Sequence, residues 1–479
     1  MAKGTWGTDN KPEIPGFYNR FQTAAEATIA NGTTGTLALT VTANWGPIKE
    51  PVLINNDVEN TLKATFGTDD NYTAYKLGKL ALLGKPKELL LYRLADSSAS
   101  KASLVLQTTD SSPLNAITLE TLYPTTRDFK VTVKTNVADS DKKNIILYEG
   151  SKQLFNITVS GTFAEIAKTI NNATANTYIR AKTSEVSSTT NTLDNVATKN
   201  FTGGNDGTAG ITNQDYIDAM AIFEGYEKDA FVIDRYADSA LQAAIQIWNT
   251  QCKENGDIFL IFVTGVNNSE TLDDANQRSN DYNDYLVNNL YLGTATYNGT
   301  TYNSAEVLVY IAALAIGKGL KESISNETTI FDSVTPKLSK TQITSAIKNG
   351  TIVLYEDGGR VVVADDVNTY KTYKDEAGKA FGTIQTVIFL KTVNEDTSAK
   401  RFEISGKADG NDTGRTIALS SLKKYFETLN NNGIIADDFV VKIDEEKQAT
   451  AEADEMYWTW AVTHYKKLKR VYGTGIIAE

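Results

Sequence analysis

The chain has 479 residues, 47 Lys and Arg against 59 Asp and Glu, and a single His and a single Cys. A net charge of −12 repels phosphate backbones and anionic membranes, so a nucleic-acid or membrane-surface role would need a local basic patch. Cys252 alone rules out an intrachain disulfide framework, His464 alone rules out a Cys/His zinc cluster, and no run reaches the ~18 apolar residues of a membrane helix. At ~100–200 residues per domain the length suggests three or four domains, and abundant Thr, Asn and Asp favour strands and turns.

Residues 1–15 are polar and carry no apolar leader, so the product is expected to remain soluble in the cell that makes it. Pro15-Gly16-Phe17-Tyr18-Asn19-Arg20-Phe21 is a short extended arm that cannot bury its aromatics alone. Residues 36–43 alternate as a strand and close on Asn44-Trp45-Gly46-Pro47. Helices over 58–67 and 72–83 and a buried strand over 87–94 begin an α/β layer. From 97 to 200 the composition shifts to Thr, Ser and Asn, with strand-like runs at 129–134, 144–148 and 153–159 and one amphipathic helix over 163–171. This stretch reads as a small β-rich domain inserted into the layer and projecting outward.

Phe201-Thr202-Gly203-Gly204-Asn205-Asp206-Gly207 is rich in glycine, as phosphate loops are, but no Lys-Ser/Thr follows it, nor does it sit between a strand and a helix. It is expected to be a turn. Beyond it, helices over 216–226, 237–255, 271–279 and 305–319 alternate with apolar strands over 230–234 and 258–263 and a candidate strand over 285–292, the pattern of a parallel sheet covered on both faces. Asp234 ends one of these strands, where α/β sheets place catalytic or metal-binding carboxylates. It has no Asp-x-Ser-x-Ser continuation and no His partner, so a turn or helix-cap role is expected. Asp139-Ser140-Asp141 fails as a calcium loop, because Lys143 takes a ligand position and the required Gly is missing. Neither Cys252 nor a Gly-x-Ser-x-Gly turn offers an activated nucleophile.

The pattern then predicts a helix over 338–349 stopped at Gly350, a hairpin of 351–355 and 360–364 around Glu356-Asp357-Gly358-Gly359, and a helix over 383–400. A helix over 420–429 follows, with Leu422, Phe426 and Leu429 on one face, then strands over 434–443 and 456–465. Met456, Trp458, Trp460 and Val462 share one side of the last. Lys466-Lys467-Leu468-Lys469-Arg470 is the strongest basic cluster and reads as a solvated bend before a closing β run over 468–478. A terminal strand leaves N–H and C=O groups unpaired, and this one is expected to be used by a neighbouring sheet.

The succession of helix, Asn/Gly stop, Gly433-Ile434-Ile435-Ala436-Asp437-Asp438-Phe439-Val440-Val441, aromatic strand, Lys-rich bend and closing β run resembles the C-terminal domain of contractile tail sheath proteins. Such proteins belong to phages with contractile tails and to phage-tail-like bacteriocins, here of the Gram-positive type. The Pro-Gly-Phe-Tyr arm before a strand ending in Trp-Gly-Pro and the Phe201–Gly207 turn are also similar to that family. Tyr123-Pro124-Thr125-Thr126-Arg127-Asp128 departs from the family's glycine-bearing Tyr-Pro-Gly-x-Arg-Gly-Asn segment. The resemblance implies an α+β and α/β multidomain chain: an arm (1–35), a discontinuous α/β domain (36–96 and 201–335), an inserted β-rich outer domain (97–200), an α+β C-terminal domain (336–465) and a strand arm (466–479). It further implies a non-enzymatic subunit without cofactor or metal, polymerising with itself as stacked hexameric rings. Phe17, Tyr18, Phe21, Val471, Tyr472, Ile476 and Ile477 would form inter-subunit strand arms, and Lys423, Lys424, Lys466 and Arg470 would face an inner tube. Tube, baseplate and tail terminator proteins would be partners, without nucleic acid or membrane, in a virion or tail-like particle assembled in the host cytoplasm. A surface-layer or fibre-forming adhesion protein is the alternative, and an enzyme with a cofactor in the α/β layer a third reading.

Overall fold

The computed structural model describes residues 2–4, 16–18, 35–55, 58–184, 192–373 and 378–477. The chain divides into two units, one of residues 1–33 and 392–465, the other of residues 34–391 and 466–479.

The larger unit is organised on an eight-stranded sheet, in the spatial order Arg360–Val363, Thr351–Asp357, Val287–Tyr291, Leu260–Thr264, Ala230–Val232, Thr36–Val41, Glu88–Arg93 and Pro51–Ile54. The inner pairings are parallel, and an antiparallel strand closes each edge. Every residue of Ala230–Val232, Leu260–Thr264 and Val287–Tyr291 is buried, as strands of a sheet covered on both faces are. One face packs Phe223, Trp248 and Leu241 from the helices Asn213–Phe223 and Ser239–Glu254 against Phe231 and Ile261. On the other lies Ser304–Gly317, apolar around its whole circumference and buried along nearly its whole length. The helix Thr73–Leu83 approaches it so closely that a Cβ on Gly84 would stand 2.7 Å from the Leu314 backbone nitrogen.

Polar residues in these strands are tied. Asn289 donates to Ala275 O at 2.8 Å and to Ser279 Oγ at 2.7 Å, and Thr351 Oγ1 donates to Asn276 at 2.9 Å. This seam holds Thr351–Asp357 in parallel register with Val287–Tyr291. The hairpin that the sequence assigns to the C-terminal domain (336–465) is therefore part of the α/β sheet. Its two turn glycines, Gly358 and Gly359, have φ of +55° and +77°, as a tight hairpin turn requires.

The insertion holds two antiparallel sheets. Lys152–Val159, Lys143–Glu149, Phe129–Thr135 and Val196–Asn200 form one, and Ile179–Thr183, Asn115–Pro124 and Lys101–Gln107 the other. With the capped helix Phe163–Asn172 they enclose one core that includes Leu106, Ile117, Val131, Ile145 and Ile170. Only three of the seven strands are predicted from the sequence. Lys101–Gln107 buries its alternate residues Ala102, Leu104 and Leu106, a pattern masked by its polar partners.

In the smaller unit the helix predicted over 420–429 runs much further, over Asp412–Asn431, with Asn411 as its cap accepting from Gly414 N at 2.9 Å. Ser420, inside this helix, donates to Thr416 O one turn back at 2.8 Å. Phe426 packs against Phe439, Trp458 and Trp460. The two tryptophans thus share the predicted inward side of the Trp458–Ala461 strand, which pairs antiparallel with Val440–Ile443. Ala2–Gly4 and Gly16–Tyr18 pair in parallel with each other.

Candidate assembly surfaces

Three places deserve a functional reading: the ligand crevice of the α/β sheet, the small sheet of the second unit, and the end of the chain. In a doubly wound sheet the crevice lies at the carboxyl ends of the strands where chain order reverses. Here that point falls between Thr36–Val41 and Ala230–Val232. Asp234 lies just beyond it, buried, and accepts from Thr73 Oγ1 at 2.6 Å, Tyr216 OH at 2.9 Å and Thr40 Oγ1 at 3.3 Å. Burial pushes its carboxyl up, against the pull of the hydroxyls of Thr73 and Tyr216. Burial and the charge of Asp234 likewise push the Tyr216 phenol up. The expected helix-cap role falls to Asp238, which accepts from Leu241 N at 2.9 Å, while Asp234 knots the first strand to two helices.

The same end of the sheet anchors the insertion. Arg93, fully buried at the end of its strand, donates to the carbonyls of Gly46 at 2.7 Å, Pro124 at 2.9 Å and Asp206 at 3.2 Å. Asp206, in the glycine-rich turn, accepts from Tyr72 OH at 2.7 Å and Thr126 Oγ1 at 2.9 Å. A Cβ on Gly204 would stand 2.3 Å from Thr125 O, so the glycine serves backbone contact at the junction. Trp45, beside this junction, is covered by the Arg127 guanidinium at 4.7 Å, itself paired with Glu149 at 2.6 Å. The polar groups of the crevice are thus spent on tying the first strand to its helices, and those of the turn, with Arg93, on joining the insertion to the sheet.

The C-terminal part of the smaller unit holds a two-stranded sheet, and among the described residues neither Val440–Ile443 nor Trp458–Ala461 pairs with a further strand. Two strands alone are marginal in water, and each has one edge open to another strand. Val440 is exposed despite its apolar side chain. Lys423 and Lys424 lie exposed on the Asp412–Asn431 helix.

Residues 466–477 form no strand, contrary to the predicted β run; a strand exists only in a ladder, and none of the described residues supplies one here. Val471, Tyr472, Ile476 and Ile477 are 82%, 88%, 91% and 95% exposed. Lys466 and Arg470 are placed against the α/β unit: Lys466 Nζ donates to Ala380 O at 3.4 Å and Arg470 lies 3.6 Å from Asp365. Phe17 and Tyr18 fall in the Gly16–Tyr18 strand, and Phe21 lies outside the described residues. No helix among the described residues is long and apolar enough to cross a membrane.

Comparison with known proteins agrees with this geometry. Four family models match in succession: the N-terminal region of domain III of the tail sheath protein Gp18 over residues 34–94, the phage tail sheath β-sandwich domain over 96–206, the central domain over 209–369 and the C-terminal domain over 376–478. The Bacillus subtilis (strain 168) protein YqbK is 24% identical over 460 residues, covering 91% of each chain. Among solved structures, the sheath tail protein of Desulfitobacterium hafniense shares the fold with TM-score 0.68 at 19% identity, over 94% of this chain and 100% of that one. That of Listeria innocua gives 0.69 at 20%, over 90% and 95%. The helical sheath of the anti-feeding prophage in its contracted state gives 0.55 at 9%, over 97% and 99%. The fold and its matches define a structural protein of contractile, tail-like particles. Within that class, the chain belongs to the phage tail sheath family.

Proposed function

We propose that this chain is the repeating subunit of a contractile tail sheath, stacked as hexameric rings around an inner tube and joined by strand exchange. Contraction from a metastable extended lattice to a shorter one drives the tube through a cell envelope. The observation that carries this reading is the exposed apolar run at residues 471–477, together with the sheet of Val440–Ile443 and Trp458–Ala461, both edges of which are open among the described residues. An unpaired apolar strand and an unfilled sheet edge on identical chains complement each other, and such head-to-tail contacts build helical arrays without closing. Phe17, Tyr18 and Phe21 belong to a second arm given to a neighbour, and the inserted sandwich faces outward. Solved contracted-state sheaths of the same fold, from the anti-feeding prophage and from an extracellular contractile injection system, support the motion.

Lys423 and Lys424 are the best-placed tube contacts, as exposed cations on a chain of net charge −12. Baseplate and terminator proteins complete the set of partners, in a particle assembled in the host cytoplasm. Negative-stain imaging of a chain lacking residues 471–479 tests the reading. Folded subunits that form no polymer are expected; sheaths like those of the full chain would refute it.

A further inference from the structure

The arm is exposed, but its root is not loose. Lys469 Nζ donates to Asp365 Oδ1 at 2.6 Å and reaches Asp366 O at 3.4 Å, with Arg470 on the other carboxylate oxygen of Asp365. Three segments distant in sequence build the receiving pocket. Ser325 Oγ donates to Asp365, Ser323 Oγ donates to Asp366 Oδ2 at 2.8 Å, and Gln385 N, at the start of the helix Ile384–Ala399, donates to the same oxygen at 3.3 Å. Asp366 Oδ1 is buried with no hydrogen-bond partner. Two adjacent carboxyls at 7% and 1% exposure are costly to bury without cations beside them; Lys469 bonds Asp365 directly, and the charge of Lys371 also acts on both. Burial pushes the Asp365 carboxyl up, but the bonds from Lys469 and Ser325 outweigh this and hold it below the usual range. Burial raises that of Asp366, opposed by the charge of Lys469.

We propose that Asp365 and Asp366 form a docking site for the chain's own basic segment 466–470, fixing the root of the C-terminal arm on the α/β unit while residues 471–477 stay presented to a neighbour. This rests on the strand-exchange reading above only for the use of the arm, not for the docking. The basic segment is then neither a solvated bend nor a tube contact but an anchor. Anchored at Arg470, residues 471–477 reach at most ~25 Å when extended. Released, the free segment lengthens by about five residues, and the effective concentration of the arm at a fixed site falls roughly twofold.

Limited trypsinolysis of the full-length chain at low concentration, read by intact mass, tests the docking through cleavage after Lys469 and Arg470. Asp365→Asn keeps every tryptic site in the segment and is expected to be cut there at least fivefold faster than wild type at low salt. Since Asp365→Asn alters a buried position, Lys469→Gln provides a second variant on the tail side: cleavage after Arg470 should accelerate likewise, while Lys469→Arg should retain the slow rate. Equal rates for wild type, Asp365→Asn and Lys469→Gln would overturn the proposal. Removing residues 471–479 should leave cleavage after Lys466 and Lys467 as slow as in wild type. Loss of that protection would count against the docking, whereas polymers formed by the shortened chain would count only against strand exchange.

Discussion

Replacing Arg93 by Met tests whether one buried cation holds the insertion to the sheet. Met fills much of the space but donates nothing, so the carbonyls of Gly46, Pro124 and Asp206 lose three hydrogen bonds at 2.7, 2.9 and 3.2 Å in a site closed to water. Burial lowers the guanidinium only to about 10, so at neutral pH the lost bonds are charge-assisted. Such bonds contribute ~1.5–3 kcal/mol each, and a carbonyl left buried without a partner costs ~1–3 kcal/mol. Relief of the desolvation of the charge and partial relaxation offset part of this, leaving roughly 3–5 kcal/mol lost at the junction. At 1.4 kcal/mol per decade, amide protection in Lys101–Gln107 and Glu88–Arg93 should fall by about two to three and a half orders of magnitude. Hydrogen exchange read by mass spectrometry measures this directly. A fall of less than tenfold in both strands would show that the carbonyls are held by the rest of the fold.

Gly84→Ala should destabilise the larger unit by ~1–3 kcal/mol, because the new Cβ meets backbone and Ala313 at 2.7 Å; urea unfolding read by circular dichroism gives the shift. Its φ of −76° suits alanine, so packing alone is tested. Burial is the main reason that the Lys371 ammonium is lowered to about 8, with Asp365 opposing it. Between pH 8 and the usual value of 10.5, the folded chain is neutral at Lys371 and the unfolded chain still protonated. The unfolded state therefore binds more protons, and stability from this group rises with pH across that window. Chemical-denaturation midpoints of Lys371→Met should lack this rise relative to wild type; parallel pH curves would contradict it.

Much of the α/β unit is legible because strands such as Leu260–Thr264 are largely apolar and its helices carry ordinary caps and stops. The misses have physical causes. Pro51–Ile54 is an edge strand, short and partly exposed, that begins on a proline. The Thr294–Tyr297 and Thr300–Asn303 hairpin turns on Asn298-Gly299, both at positive φ, a signal present in the sequence and overlooked. The hairpin at Thr351 follows a C-terminal domain pattern locally, and only the long-range seam of Asn289, Ser279 and Asn276 assigns it to the sheet. Helix Asp412–Asn431 begins well before residue 420, because i−4 bonding satisfies the Ser420 hydroxyl inside a helix. Of the candidate surfaces, the apolar tail was readable from composition. The role of Lys469 was not, since Asp365 lies 104 residues away in sequence.

A reconstruction of the assembled polymer by electron cryomicroscopy, at a resolution that follows individual strands, tests the central claim most directly. Residues 471–477 should be found hydrogen-bonded along Val440–Ile443 or Trp458–Ala461 of a different subunit, as an added strand. Finding them unpaired, or folded back on their own chain, in an otherwise intact sheath would contradict the account.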